Sequence, residues 1–420
     1  MTAFAILAAA LLGYSLLSRR LERASISGPL LLVAAGVVAG PQVLDAVHTS
    51  LAHGAGLRFA EITLVVVLFS DASRIDLRSL RADAALPGRL LGLGMPLTIG
   101  LGVGFGVLLL SDLTVWEAAM VAAILAPTDA ALGQTVVASP RVPKRVRRAL
   151  TVESGLNDGL SVPFLALFVV LAVEEESSGA HHWLGYTLRL IGLGVLVGVV
   201  IGAVGGRIVE RAFARRWMSS GLGAMAPLAL AVLCWALADA LGGNGFIAAF
   251  VGGLCAGHMS ALCGERILDF SEEEGALLSL SVFFVFGTVA IDLVEHADLA
   301  VVAYAVLSLT VIRMLPVALA LAGTGLRGST VAFMGWFGPR GLASIILALT
   351  VAEEQPQLPG LDRVMAAMTV AVLLSIAVHG LSAGVLSKAY AARVRDLPAD
   401  APEHDVPAAA VPPDTSPVGA

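Results

Sequence analysis

TVESGLNDGLSVPFLALFVVLAV, residues 151–173, decides the kind of chain this is. After Asp158 it runs without a charged residue until Glu174. Before that point it carries Glu153, Ser154, Asn157 and Asp158. At about 100° per residue, Glu153 and Asn157 share one helical stripe and Ser154 and Asp158 the next, so all four project into one sector of about 140°. Two acids, a hydroxyl and an amide in one sector cannot face lipid. The competing reading is a capping box at a helix start, which the Thr151–Ser154 spacing fits poorly. A charge held mid-membrane costs about 2.5–3.5 kcal/mol even on the lenient scale and marks function by default. The stretch therefore predicts a membrane-crossing helix with an inward polar face.

The whole chain agrees. Its 420 residues are 57% hydrophobic and 14% charged, with a mean hydropathy of +0.88. A soluble domain would carry about 25% charged residues. This excludes a soluble enzyme and predicts an all-α polytopic membrane protein, because backbone in lipid must satisfy its own hydrogen bonds. The net charge of −6 gives no nucleic-acid footprint. Cys234, Cys255 and Cys263 form no CxxC pair and read as packing residues, with no cofactor or resident metal implied.

Apolar runs predict 13 spans: 2–17, 27–44, 58–72, 86–110, 115–138, 147–173, 182–209, 222–241, 244–260, 275–294, 298–322, 328–352 and 362–389. The first is read as a retained helix because it lacks a basic start. Of the 26 Lys and Arg residues, 21 fall in loops after odd-numbered spans, including Arg74, Arg78, Arg81 and Arg89, Lys144 to Arg148, and Arg207 to Arg216. The positive-inside rule then places the N-terminus outside and the C-terminus in the cytoplasm. The transmembrane domain is expected over 1–395. Residues 396–420, rich in Pro, Ala and Asp, are expected to form a disordered cytoplasmic tail. An odd span count suits two inverted six-helix repeats joined by span 7. The fifth span of each half is interrupted, by APTDAA at 126–131 and GPRGLAS at 338–344, as discontinuous helices at a substrate site would be. GxxxG-like spacings at 198–202 and 202–206 predict close packing of the linking helix.

Charges recur in the broken spans. Pro127 withholds a backbone donor and frees a carbonyl beside Thr128 and Asp129. Freed carbonyls and a carboxylate are hard oxygen ligands for an alkali cation; the competing reading is a helix cap. Arg313 and Arg340 lie within spans and are expected to pair with carboxylates. Asp129, Glu153 and Asp158 against these two arginines leave a cluster one charge negative. One monovalent cation or one proton neutralises it, and holding both would leave an excess that a buried site opposes. Competition of this kind is an exchange cycle. Asp71, near the end of span 3, is either a further acid of this path or a boundary charge. His379 has no evident partner at helical spacing and reads as a packed neutral histidine.

TDA in the fifth span, ESGLNDG in the sixth and the arginines of the eleventh and twelfth together resemble the cation:proton antiporter-1 family, over about residues 1–390. That family includes prokaryotic sodium/proton antiporters and eukaryotic sodium/proton exchangers. The resemblance implies that Asp158 alternates between proton and sodium, with Asp129, the Thr128 carbonyl and Ser154 completing the ion site. It implies that Asn157 marks electroneutral exchange, that Glu153 pairs with Arg313, and that Arg340 is a helix-break arginine. It further implies a homodimer in the cell (inner) membrane, with Na⁺, Li⁺ or K⁺ exchanged for H⁺ and pH homeostasis as the setting. Potassium/proton exchange is the alternative within the fold. A sodium-coupled anion symporter would need unpaired positive charge at the site, a channel a filter repeat, and an intramembrane enzyme a catalytic motif; none is present in the sequence.

Overall fold

The computed structural model describes residues 2–23, 26–47, 54–75, 85–129, 132, 142–177, 183–218, 225–395, 397–398 and 401–404. Among these residues all regular structure is helical. The chain opens with α1 (Thr2–Arg23), α2 (Gly28–Ala39) and α3 (Ala55–Ser73). Next, α4 (Ala85–Arg89) passes through a π turn at Leu90–Gly94 into α5 (Met95–Leu109). Pro96 explains the wide turn: its nitrogen donates nothing back to Gly92 and its ring crowds that carbonyl. There follow α6 (Val115–Ile124), α7 (Lys144–Ser177), α8 (Trp183–Ala214), α9 (Met225–Ala240), α10 (Gly245–Met259) and α11 (Ala261–Leu293). The chain continues through α12 (Leu299–Leu309), α13 (Val311–Ala320), α14 (Gly328–Trp336), α15 (Leu342–Glu354) and α16 (Leu361–Val394).

Among the described residues seven helical stretches are long and apolar enough to cross a bilayer. α8 and α16, at 32 and 34 residues, extend about 50 Å and exceed a hydrocarbon layer of about 30 Å, so their polar ends project from it. α11 begins well before the apolar run at 275–294, because ERILDFSEEE ahead of it prolongs the helix with polar residues. α6 is short because it ends at a break, as does α14.

Packing sorts the helices into two groups. α1–α3 and α8–α11 contact one another, as do α4–α7 and α12–α16; α3 bridges them by lying against α7 and α15. Within the first group α8 runs along α10, and Gly198, Gly202 and Gly206 form its contact stripe. A Cβ on Gly202 would run into the backbone of Gly252, so only glycine permits this approach. The two GxxxG spacings thus serve helix packing. At the other end of the fold, Thr114 and Glu117 form a capping box that starts α6. The buried Glu117 carboxylate also accepts the Gly360 N–H at 2.7 Å, fixing the turn before α16.

Composition predicts no packed structure over 396–420, and residues 401–404 depart from that. Arg327, at the start of α14, has no side-chain cap from its own neighbours. Glu403 supplies one from 76 residues away: Oε1 accepts the Arg327 N–H and the Thr330 hydroxyl, each at 2.9 Å, and the side chain is fully buried. Arg145 Nη1 donates to the Pro402 carbonyl at 2.5 Å, and Tyr390 closes the group on Thr330 at 3.1 Å. The capped N–H, the Thr330 hydroxyl and the Arg145–Pro402 bond together offset the cost of ordering these tail residues. Residues 405–420 lie outside the described residues. Glu403→Ala should lower stability by about 1–2 kcal/mol, because it leaves a buried N–H without its acceptor. A melting temperature unchanged in detergent would mean the tail does not dock there.

Candidate functional site

Two breaks meet at the centre of the second helix group. α6 stops at Ile124, and Pro127, Thr128 and Asp129 run on without helical hydrogen bonds. α14 stops at Trp336, and residues 337–341, with Gly338, Pro339 and Gly341, lead irregularly into α15. Each break satisfies what the other exposes. The Asp129 N–H donates to the Pro339 carbonyl at 2.7 Å. Leu342 N–H, in the first turn of α15, donates to Asp129 Oδ2 at 2.7 Å, and Leu132 N–H donates to Oδ1 at 3.1 Å. Asp129 therefore stands as an anion at a helix N-terminus, where the dipole favours it. Gly341 is required here, since a Cβ would enter the space of the Asp129 carboxylate. In the other direction, Ser344 Oγ donates to the Ile124 carbonyl at 2.7 Å.

Arg340 departs from its expectation. Its partners are carbonyls: Nη1 donates to Ala126 O at 2.5 Å and Pro127 O at 2.9 Å, with the side chain fully buried. The carbonyls freed at the negative end of α6 take the place of the expected carboxylate. Its backbone N–H donates to Ser375 Oγ at 2.6 Å.

α7 brings its polar sector against the first break. Ser154 Oγ donates to the Thr128 carbonyl. Asn157 grips Thr128 twice, Nδ2 donating to Oγ1 at 2.7 Å and Oδ1 accepting the N–H at 3.2 Å. Glu153 points to the other side and pairs with Arg313 of α13 at 2.6 Å, both side chains buried. Asp158 is buried, and its Oδ1 has no hydrogen-bond partner among the described residues. Asp71 of α3 lies across the helix interface: a Cβ built on Gly155 would stand 3.3 Å from its own. Thr128, Asp129, Ser154, Asn157 and Asp158 thus form one buried cluster. Glu153 with Arg313, and Arg340, brace its flanks, and Asp71 faces it from the other helix group.

Sequence reasoning missed the layer behind Arg340. His379 does have a partner at helical spacing: Ser375 lies four residues earlier, with its Oγ 3.2 Å and its carbonyl 3.0 Å from Nδ1. Nε2 lies 2.9 Å from the Trp336 carbonyl, at the end of α14. With Nε2–H donating to the Trp336 carbonyl, a neutral ring accepts the Ser375 hydroxyl at Nδ1, the Ser375 carbonyl gains no bond from the ring, and Ser375 Oγ still accepts from Arg340. The i,i+4 pairing of Ser375 and His379 in an apolar helix was the available signal.

A family model described as "Sodium/hydrogen exchanger, transmembrane" matches residues 6–389. The chain belongs to the sodium/hydrogen exchanger family. This exchanger-family chain is 26% identical over 318 residues to a probable Na⁺/H⁺ antiporter of Schizosaccharomyces pombe, covering 66% of this chain and 41% of the relative. It is 25% identical over 375 residues to the K⁺/H⁺ antiporter NhaP2 of Shewanella baltica, covering 87% and 63%. With the K⁺/H⁺ antiporter NhaP of Alkalimonas amylolytica the identity is 26% and the coverage 77% and 56%. The chain thus spans less than two thirds of these relatives' own lengths. Its fold matches the sodium proton antiporter MjNhaP1 from Methanocaldococcus jannaschii, solved at pH 8, with a TM-score of 0.72 and 22% identity, over 93% of this chain and 98% of that one. The family is one of secondary transporters, and this multi-pass member is embedded in a membrane. Among the described residues no group of three or more His, Cys, Asp or Glu is placed to hold a metal ion.

Proposed function

We propose that this exchanger-family chain carries one monovalent cation against one proton by alternating access, with cation and proton competing for Asp158. One observation carries the reading: a buried carboxylate oxygen without a hydrogen-bond partner among the described residues, beside two crossed helix breaks, in a cluster one charge short of neutrality. A dehydrated anion of this kind requires a counter-charge. Sodium, potassium or a proton supplies it, and no two of them fit together. Asp158 takes the ion or the proton. The Thr128 carbonyl, Ser154 and Asp129 turn their oxygens to the ion, and Asn157 holds Thr128 in place without adding a charge, which makes the exchange electroneutral. Glu153 and Arg313 hold α7 to α13, and Arg340 secures the first break to the second. Asp71, with Arg74 one turn further on, serves as an approach acid from the Arg-rich side.

Potassium is favoured as the cation. The relatives from Shewanella baltica and Alkalimonas amylolytica, matched over most of this chain, are named K⁺/H⁺ antiporters. Sodium is the second reading, supported by the name of the Schizosaccharomyces pombe relative. The frame proposed with this function is thirteen crossings in two inverted repeats, a homodimer in the cell membrane, N-terminus outside and C-terminus within. The crossed breaks at 125–129 and 337–341 support the repeat, and the distribution of arginines supports the orientation.

The test is flux in proteoliposomes carrying an internal pH dye and an imposed proton gradient. Saturable collapse of the gradient on adding K⁺, weaker with Na⁺ and Li⁺ and indifferent to membrane potential, is expected. No response to any of the three ions would sink antiport. A response to Na⁺ alone would select the second reading, and a rate set by voltage would remove electroneutrality.

A further inference from the structure

The last turns of α8 and the residue just after it carry arginines for which transport gives no role; the Arg215 N–H still donates to the Arg211 carbonyl at 3.0 Å, so the helical turn carries on to it. Arg207, Arg211 and Arg215 are exposed and spaced four residues apart. At about 100° and 1.5 Å per residue they fall in one sector of about 80° and lie roughly 6 Å apart along the axis. Among the described residues no carboxylate pairs with Arg207 or Arg211. Glu210 points round the helix and accepts from Ser260 Oγ at 2.7 Å.

The same sector continues along the helix as apolar surface. Val200 and Val204 lie within about 20° of its centre line and Leu196 about 60° from it, and each is about half exposed. The opposite side of α8 is the glycine stripe that packs on α10. This is therefore the outward face of α8, and it changes from aliphatic to basic at Arg207. From Leu184, the first exposed apolar side chain of α8, to Arg207 is about 35 Å of helix, the length of a tilted crossing of the hydrocarbon layer. Trp217 marks the boundary: it is 71% exposed, and the Arg215 guanidinium carbon lies 5.1 Å from its ring centre.

We propose that Arg207, Arg211 and Arg215 form a binding site for the phosphate of an anionic glycerophospholipid. Its acyl chains run along Leu196, Val200 and Val204, and its headgroup rests against Trp217. Guanidinium forks match phosphate oxygens, and three of them on one stripe offer more donors than one phosphate accepts. The preference for an anionic lipid follows from the charge of the stripe: three guanidinium groups repel the amine of a zwitterionic headgroup, and among the described residues no carboxylate pairs with Arg207 or Arg211 to offset them. The site does not depend on which ion is transported.

The experiment is lipid binding to the purified full chain in detergent, read by native mass spectrometry and by melting temperature. Phosphatidylglycerol should bind at least tenfold more tightly than phosphatidylcholine and should raise the melting temperature. Arg207→Gln, Arg211→Gln and Arg215→Gln combined should erase the difference between the two lipids. Arg211→Gln alone should weaken phosphatidylglycerol binding about threefold, which keeps the test open should the triple variant fail to fold. Three results overturn the proposal: equal binding of the two lipids, undiminished phosphatidylglycerol binding by the variants, or displacement by inorganic phosphate at equal concentration, which would make this a free-anion site.

Discussion

Asp158→Asn should be inactive and more stable at once. Asn has nearly the shape of Asp and carries no charge, so the cluster passes from one negative charge to neutral. The carrier is then fixed in a state resembling its protonated form, with no proton to release and no anion for a cation to meet. Cation-driven proton movement in proteoliposomes should fall at least a hundredfold. The same change removes a buried carboxylate whose Oδ1 finds no hydrogen-bond partner among the described residues. Leaving such a group unsatisfied costs about 1–3 kcal/mol, and the variant should regain part of that as a higher melting temperature. The paired signs matter, since a variant that merely misfolds would lose both activity and stability. Residual exchange near the unmodified rate would remove Asp158 from the centre of the mechanism.

What the sequence disclosed follows from how local each feature is. The ESGLNDG sector was legible because four residues within two turns of one helix fix their own relative directions. Its internal division was not. Glu153 turns to Arg313, Ser154 and Asn157 turn to Thr128, and among the described residues Asp158 keeps an oxygen unclaimed. That partition depends on helices more than a hundred residues away or on a loop with no period of its own. Pro127 and the GPRG run announced the two breaks, because proline and glycine state their backbone effect locally. The carbonyl partners of Arg340 were hidden, since any backbone can supply them and composition does not say which. Glu403 was hidden for a different reason. A polar, proline-rich tail has no hydrophobic pattern, and one buried carboxylate against a bare helix start needs none.

Separating Glu153 from Arg313 should cost more stability than any other single change at the site. The two side chains are 3–4% exposed and meet at 2.6 Å, joining α7 to α13. Coulomb attraction and lost hydration nearly cancel in such a pair, so its net worth to folding is small. Removing one partner does not cancel. Glu153→Ala leaves the Arg313 guanidinium buried beside Arg340 without its anion, and breaking a pair in this way costs about 3–5 kcal/mol. A change of that size is large against the few kcal/mol by which folded chains are stable, and much of the protein should fail to reach the membrane folded. Combining Glu153→Leu with Arg313→Met removes both charges and keeps most of the volume, so it should recover most of the lost stability. The double variant also leaves the cluster at one negative charge, because an acid and a base depart together. Exchange should therefore persist in it, with altered rate, where the single variant has little folded protein to assay. A melting series on the two single variants and the double variant measures the coupling, and a double variant no more stable than the worse single one would mean that the pair does more than brace the fold.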